Sequence, residues 1–237
     1  ITQAYSNNDF CQVYQPTETY DLRLLTLDFR PPLANSSNLV YITNNNPTSM
    51  RIPIEISARH LHLSQADLEL LFGTGYQLTV KQMISQPTQF AATETIKLIG
   101  PKGSTSARII GPVREHTQVE LSSTECRLLG ITAPLRLSGH LGGSSSLKLV
   151  GPAGELTITE GVIISHRHLH INTSEAERNN LSNNQVVQIK ISGPRGGILD
   201  QVIVRATDNS QLALHLDTDE ANALGITPDN NFGELII

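Results

Sequence analysis

The chain has 237 residues, a formal net charge of −5, 4% aromatic residues and no tryptophan, which allows one large or two small domains with an aliphatic core. The mild acidity argues against nucleic-acid binding, which needs clustered Lys and Arg, and no apolar run reaches the ~18 residues of a membrane span. The two cysteines, Cys11 and Cys126, are too few for a disulfide framework, so a reducing cytoplasmic compartment is the default expectation.

Residues 1–50 differ in composition from the rest of the chain. The stretch PPLANSSNLVYITNNNPTSM is rich in Asn, Ser and Pro and predicts a linker or loosely ordered coil. Before it, the apolar island DLRLLTLDF is compatible with a strand or with one or two helical turns. A strand packing on the main domain is as good an interpretation of this island as a docking peptide. The chain begins with Ile rather than Met, so a preceding targeting segment stays open.

From Arg51 onward, short apolar runs alternate with turns. IKLIGPKG, LKLVGPAGEL and VVQIKISGPRGG are three strand-like runs that each continue into Gly-Pro-x-Gly. Turn residues at this density predict a mainly β protein of sandwich or barrel architecture.

Four short helices are predicted, each with a polar residue suited to cap its start. Three of the helices start two residues after a histidine or glutamate on a strand-like run, and the fourth is expected to start slightly later. The predicted capping pairs are Ser64 with Asp67, Ser122 with Glu125, Ser174 with Glu177, and Asp217 with Glu220.

Two parts of the chain resemble each other. SARHLHLS at 57–64 has a near copy in SHRHLHIN at 165–172, and QVELSSTECRLLGIT at 118–132 matches ALHLDTDEANALGIT at 213–227. The first match relates His60 to His168, and the second places Glu120 on His215. We interpret this pattern as a tandem duplication whose two units share one interface.

The duplicated His-x-His pairs predict two metal sites. Residues i and i+2 of a strand face the same side, so His60 and His62 project together, as do His168 and His170. Imidazole nitrogens at that separation can both reach one Zn²⁺ at about 2 Å, and three protein ligands leave an open position as in catalytic zinc sites. The alternative is that these residues serve capping and packing alone. The predicted ligand sets are His60, His62 and Glu120 in the first unit, and His168, His170 and His215 in the second.

Arg114 is the candidate anion-binding residue. It lies in GPVREHTQVEL, on a Gly-Pro turn six residues before Glu120. A guanidinium near two metal ions can hold phosphate through a fork of N–H donors. The alternative is a surface arginine paired with Glu115 or another carboxylate. Arg59 and Arg167 precede the His-x-His pairs and are expected to face away from the metals, where they pair with carboxylates or line the interface.

Two further expectations concern residues outside the ligand sets. Asp219 and Glu220 are candidates for orienting a histidine, and Cys126 is expected to be a buried, inert thiol. The sequence contains no GxSxG, Walker or HExxH motif and has no evident nucleophile for a covalent acyl-enzyme.

Four motifs in this order, SARHLHLS, GPVREHTQVEL, ISHRHLHI and HLDTDEANA, resemble the PduL-type phosphotransacylases, which are the phosphate propanoyltransferases of bacterial microcompartments and their housekeeping relatives. The resemblance covers residues 52–237. It implies two tandem pseudo-symmetric β-barrels capped by short α-helices, with residues 1–50 as an N-terminal extension that is a possible targeting peptide. Residues 59–165 would form one barrel, and residues 51–58 with 166–237 the other.

The resemblance also implies an activity, the reversible transfer of a propanoyl or acetyl group between CoA and inorganic phosphate. The resemblance implies two zinc ions, one bound by each predicted ligand set. The first ion would contact the CoA sulfur, and the second would keep bound waters. Arg114 would hold the phosphate for direct attack on the thioester. His140 departs from the family pattern, which has Asp more often at that position, so the contacts of the local loop are expected to differ.

The implied partners are acyl-CoA and phosphate. Nucleic acid and membrane are not expected, and a homodimer is the default expectation for the oligomeric state. The expected location is the cytoplasm, with the interior of a microcompartment and contacts to its shell or lumen proteins open if residues 1–50 direct encapsulation. Two other functions stay open: a dinuclear zinc hydrolase, and a non-catalytic structural or interaction protein.

Overall fold

The computed structural model describes residues 50–236, so the extension predicted at residues 1–50 lies outside them except for Met50. In chain order the elements are β1 (Arg51–Ser57), β2 (His60–His62), α1 (Gln65–Phe72), β3 (Val80–Met83), β4 (Phe90–Ile99), β5 (Ser104–Gly111), β6 (Gln118–Leu121), α2 (Ser123–Leu129), β7 (Leu135–Arg136), β8 (Ser145–Val150), β9 (Glu155–Ser165), β10 (His168–Ile171), α3 (Thr173–Arg178), β11 (Val186–Ile191), β12 (Gly197–Ala206), β13 (Ala213–Asp217), α4 (Thr218–Leu224) and β14 (Phe232–Ile236).

The strands close two barrels of six strands each. The first ring is β4-β5-β2-β6-β9-β8, in which β8 pairs back onto β4, while β3 and β7 extend it at β4 and β9. The second ring is β1-β13-β10-β12-β11-β14. The prediction of a mainly β protein with two tandem barrels and short helices is therefore confirmed.

Equivalent strands occupy equivalent places in the two rings. Strand β2 corresponds to β10, β6 to β13, and β5 to β12. The strand that runs into each histidine strand closes the other barrel: β1 pairs in parallel with β13, and β9 pairs in parallel with β6. The domain limits at 59 and 166 stay a prediction, since the described residues belong to one compact unit.

Each barrel has its own aliphatic core. Leu61 in the first barrel and Leu169 in the second, the residues between the histidines of each His-x-His pair, are fully buried among aliphatic side chains. Burying a leucine contributes about 1.5–3 kcal/mol, and successive strand residues point to opposite faces. The buried leucines therefore direct the neighbouring imidazoles away from the cores.

The helices begin as predicted except for α3. This helix starts at Thr173, and its cap is Asn172, whose side chain accepts a hydrogen bond from the Ser174 backbone N–H at 3.0 Å. The prediction that Ser174 caps α3 is wrong, because an Asx side chain two positions earlier reaches the free amide first. Each of the four caps therefore lies two residues after a predicted metal-ligand residue. The other caps are the predicted Ser64, Ser122 and Asp217.

No helix of the described residues combines the length and apolarity needed to cross a bilayer.

The Gly-Pro-x-Gly turns pack on the ends of helices. The Lys102 backbone N–H, in the turn between β4 and β5, donates to the Leu129 carbonyl of α2 at 3.0 Å. The Ala153 N–H, in the turn between β8 and β9, donates to the Leu71 carbonyl of α1 at 2.9 Å. Each turn thus satisfies a carbonyl that the helix end leaves without an internal partner.

Candidate metal and anion site

A cavity of about 630 Å³ lies at the junction of the two barrels. Four arginines and two glutamates contribute to its wall, so the cavity favours an anionic ligand even before a metal is counted. All seven predicted site residues line it: His60, His62, Arg114, Glu120, His168, His170 and His215.

The pairing of β2 with β6 positions the first cluster. His60 lies directly opposite Glu120 in this antiparallel ladder, and its Nε2 is 3.7 Å from the Glu120 Oε1. The candidate ligand atoms of His60, His62 and Glu120 all lie within 4.8 Å of one another. Cross-strand register therefore joins a carboxylate to two imidazoles that are adjacent on one strand.

Backbone carbonyls hold both imidazoles of the first cluster. The Nδ1 of His60 is 2.9 Å from the Ala58 carbonyl oxygen, and the Nδ1 of His62 is 2.9 Å from the Ile110 carbonyl oxygen. A carbonyl can only accept, so each neutral ring donates through Nδ1. The lone pair of each Nε2 is then available for a metal.

The second cluster is built in the same way on β10 and β13. His168 lies opposite His215 in the antiparallel ladder, and the ligand atoms of His168, His170 and His215 are within 4.8 Å of one another. The Nδ1 of His168 contacts the His166 carbonyl oxygen at 2.8 Å, and its Nε2 is 3.1 Å from the Nε2 of His170. That separation is close to the ~3.3 Å edge of a tetrahedron with bonds of about 2.0 Å, the usual zinc geometry.

Burial keeps three of these imidazoles neutral. Burial first, and then the charges of His60 and Arg114, lower the pKa of His62 to about 3. Burial and the neighbouring histidines lower the pKa of His168 to about 4 and that of His170 to about 2. The neutral imidazole is the form that binds a metal, so these ligands need not lose a proton at neutral pH.

His60 and Glu120 attract each other across the β2–β6 ladder, and this attraction shifts the pKa values of both groups. Burial alone would lower the pKa of His60 and raise that of Glu120, but their mutual attraction outweighs it. The pKa of His60 is therefore raised, and the pKa of Glu120 falls well below its usual range.

Arg114 lies in the cavity wall and is linked to the first cluster. Its Nη1 donates to the Ser138 hydroxyl at 3.2 Å, and the Gln118 Nε2 donates to the same hydroxyl at 2.8 Å. The Gln118 Nε2 is also 2.5 Å from the Glu120 Oε1. The surface pairing with Glu115 is not the observed arrangement. Burial lowers the pKa of Arg114, but a guanidinium stays charged at neutral pH.

Among the cavity residues that the sequence did not predict, two charged ones lie beside histidines of the second barrel. Arg205 is half-buried and lies beside His170 in the β10–β12 pair. The equivalent position in the first barrel is the aliphatic Ile110, so a comparison of matched polar positions in the repeat could not identify Arg205. Glu55 lies beside His215 in the β1–β13 pair, and its Oε2 is 3.2 Å from the His215 Nε2. This hydrogen bond lowers the pKa of Glu55 despite partial burial. The only sequence signal for Glu55 is a charged residue in an apolar strand.

Asp219 and Glu220 do not orient a histidine, so that prediction is wrong. Glu220 pairs with the Arg167 Nε at 2.8 Å, and Asp219 accepts a hydrogen bond from the Thr124 N–H at 2.8 Å. Arg59 makes the equivalent pair with a glutamate of α2 at 2.8 Å. Both arginines therefore have the carboxylate partners expected for them, and their charges tie the helices to the histidine strands.

Two remaining residues lie away from the metal clusters. Cys126 is buried in α2 as predicted, and burial raises the pKa of its thiol. His140 is exposed in the turn after β7, so its difference from the family pattern affects a surface loop.

Two β-barrels that present two groups of three metal-competent side chains to one cationic cavity define a double-barrel protein with paired candidate metal sites. A model of the phosphate propanoyltransferase family matches residues 53–227. The chain belongs to this family, as its motifs indicated, and is an acyltransferase enzyme.

Curated relatives support this assignment. The chain is 47% identical over 176 residues to the phosphate propanoyltransferase of Escherichia fergusonii, covering 73% of this chain and 83% of the relative. It is 46% identical over 188 residues to that of Shewanella putrefaciens, with 78% and 89% covered. It is 42% identical over 179 residues to that of Rhodobacter capsulatus, with 75% and 83% covered.

Proposed function

We propose that the protein transfers a short acyl group, propanoyl or acetyl, reversibly between CoA and inorganic phosphate, giving acyl phosphate and CoA. The observation that carries the proposal is the single cavity in which both metal-competent clusters lie together with Arg114 and Arg205. Similarity to proteins named phosphate propanoyltransferase supports the same reaction class.

The donor sets of the two clusters fit zinc. Imidazole nitrogens with at most one carboxylate are typical zinc ligands, and sets of three leave room for a substrate atom. The carbonyl-bound Nδ1 atoms and the lowered histidine pKa values favour the metal-binding form of the rings. When bound, the ions supply Lewis acidity that stabilises the CoA thiolate and neutralises phosphate charge. His60, His62 and Glu120 would hold the ion near sulfur, and His168, His170 and His215 the other.

The two guanidinium groups are suited to holding phosphate. Arg114 uses one N–H on Ser138, so others remain for a fork on two phosphate oxygens. After burial, the charge of Arg205 is a further cause of the lowered Arg114 pKa, so the two cations repel each other. A phosphate anion between them removes that repulsion, and the two barrels then contribute one guanidinium each.

The reaction needs no covalent intermediate with the protein. An oxygen of the bound phosphate attacks the thioester carbonyl carbon, a C–O bond forms, the C–S bond breaks, and the electron pair leaves on the CoA sulfur. The arginines orient the nucleophile and reduce its charge repulsion with the forming oxyanion. Holding both substrates side by side in one cavity favours attack by phosphate over attack by water.

An assay of phosphate-dependent CoA release tests the proposal. Zinc-loaded protein is incubated with propanoyl-CoA, with and without phosphate, and released thiol and acyl phosphate are measured together. We expect release only with phosphate and equal amounts of the two products. Release without phosphate would identify a zinc hydrolase, and absence of both metal and release would indicate a structural protein. Acetyl-CoA in parallel measures the acyl preference.

The homodimer and the microcompartment location stay predictions. Light scattering of the purified protein measures its mass in solution. A fluorescent reporter fused to residues 1–50 tests encapsulation, since diffuse signal in shell-producing cells would reject it.

A further inference from the structure

The two metal-competent clusters have different neighbours at equivalent positions. In the first barrel, β9 places the fully buried Ile163 beside Glu120. In the second barrel, β1 places Glu55 beside His215, where it lines the cavity. Each cluster therefore has one carboxylate close by. In the first cluster the carboxylate is itself a candidate ligand, whereas in the second cluster it is a neighbour of a candidate ligand.

Glu55 makes a directed contact with His215. Its Oε2 lies 3.2 Å from the His215 Nε2. Three other cluster histidines differ from His215 in this respect, because each contacts a backbone carbonyl through Nδ1 and, among the described residues, has no carboxylate on that side of the ring: His60, His62 and His168.

We propose that Glu55 is a positioning residue for His215. Its carboxylate accepts a hydrogen bond from the His215 Nε2–H, which fixes the ring orientation and leaves the Nδ1 lone pair for a metal at the second cluster. This inference rests on the metal sites of the proposed function. A carboxylate behind a metal-bound imidazole also makes the ring a stronger ligand, so Glu55 tightens binding at the second site only.

The opposite barrel holds Glu55 in place. The Ser85 hydroxyl, in the hairpin between β3 and β4, donates to the Glu55 Oε2 at 2.6 Å. The adjacent Gln86 is 4% exposed, and it donates to the Gln211 carbonyl at 3.1 Å and accepts from the Gln211 N–H at 3.3 Å. Three hydrogen bonds thus fix this hairpin to the second barrel. The first barrel therefore contributes to the geometry of the second metal site.

A metal-affinity series tests the role of Glu55. Metal-free wild type, Glu55→Gln, Glu55→Ala and Ser85→Ala are titrated with Zn²⁺ against a chromophoric chelator. We expect Glu55→Ala to lose about 10–100-fold in affinity at one site, the range for such outer partners. Glu55→Gln loses less, because an amide oxygen still accepts from Nε2–H, and Ser85→Ala shows a smaller loss. The matched control is Glu155→Gln, a surface carboxylate paired with Lys148 at 2.7 Å.

The tautomer of His215 provides a second measurement. Imidazole ¹⁵N spectra of the zinc-loaded wild type should show His215 in a single form, protonated at Nε2 and metal-bound at Nδ1. In Glu55→Ala, His215 should no longer be found only in this form. Unchanged affinity in Glu55→Ala overturns the proposal. Equal losses in Glu55→Gln and Glu55→Ala overturn it too, because they mark the carboxylate as a direct ligand. Failure of the proposed acyl transfer is a separate outcome from failure of the role of Glu55. It would be observed as an absence of phosphate-dependent CoA release from the wild type with both metals bound.

Discussion

Replacing Arg114 by alanine removes a cation from a cavity wall that keeps its other supports. The Arg114 Nη1 donates to Ser138 at 3.2 Å, and Ser138 retains its hydrogen bond from Gln118 at 2.8 Å when the guanidinium is absent. Gln118 also accepts from the Gly139 N–H at 2.8 Å, so the loop keeps two attachments. We therefore expect a folded protein whose defect is confined to anion binding.

The size of the defect follows from the contacts that phosphate would lose. A hydrogen bond involving a charged group contributes about 1.5–3 kcal/mol, so a fork of two contributes about 3–6 kcal/mol. Relief of the repulsion between Arg114 and Arg205 offsets part of this. With about 3 kcal/mol lost and about 1.4 kcal/mol per factor of ten, kcat/KM for phosphate should fall about 100-fold. Arg114→Lys keeps the charge without the fork and should lose about 10-fold.

Initial rates with phosphate varied at saturating propanoyl-CoA measure the effect, and the converse series measures the effect on propanoyl-CoA. We expect the KM for phosphate to rise, while the KM for propanoyl-CoA changes by less than about threefold and both metals are retained. Arg178→Ala, which removes an exposed arginine of α3, is the matched control. Equal and slight effects on the two substrates would refute the role of Arg114.

Three further predictions concern the metals, pH and packing. Glu120→Gln keeps the size of the side chain but removes the charged ligand, so elemental analysis should show metal content falling from about two ions toward one per chain; two ions retained would contradict the assignment. Burial lowers the pKa of three cluster histidines in the folded protein. Below the histidine pKa of the unfolded chain, about 6.5, the unfolded chain therefore binds more protons than the folded one. The free energy of unfolding of the metal-free protein should therefore decrease from about pH 6.5 toward pH 4. His60, with a raised pKa, opposes this trend as a single group, and a urea midpoint equal at pH 7 and 5 would contradict the prediction. Gly151→Ala would place a methyl carbon 2.4 Å from the Leu71 carbonyl oxygen and should cost about 1–3 kcal/mol, whereas Gly142→Ala enters open space; equal thermal midpoints would show that the turn yields.

The sequence predicts the contents of the two clusters because a strand has a period of two. In Arg-His-Leu-His, alternation alone puts both imidazoles on one face and the leucine on the other, and both copies obey it. The partner opposite each histidine depends instead on which strands pair, and one strand does not encode this. The duplication supplied the missing information by matching Glu120 with His215, and the ladders place these residues opposite His60 and His168.

The same duplication conceals residues that differ between the halves. Arg205 and Glu55 replace the aliphatic Ile110 and Ile163 of the first barrel, so a search for matched polar positions passes over them. Their side chains reach the cavity only because β12 and β1 pair with the histidine-bearing strands of the second barrel. The asymmetric residues therefore needed the strand pairing, which is a property of the whole fold.

The exchange of closing strands explains why two clusters meet in one cavity. Strand β1 closes the second barrel, and only two residues separate its end from His60; β9 closes the first barrel, and only two residues separate its end from His168. Each histidine strand therefore begins at the junction, because the chain has just left the other barrel. One barrel alone offers three metal-competent side chains and one of the two guanidiniums, Arg114 or Arg205. In the proposed reaction, phosphate is held from both sides next to a thioester, which needs both barrels, so the proposal predicts that one unit of the fold alone would not transfer the acyl group.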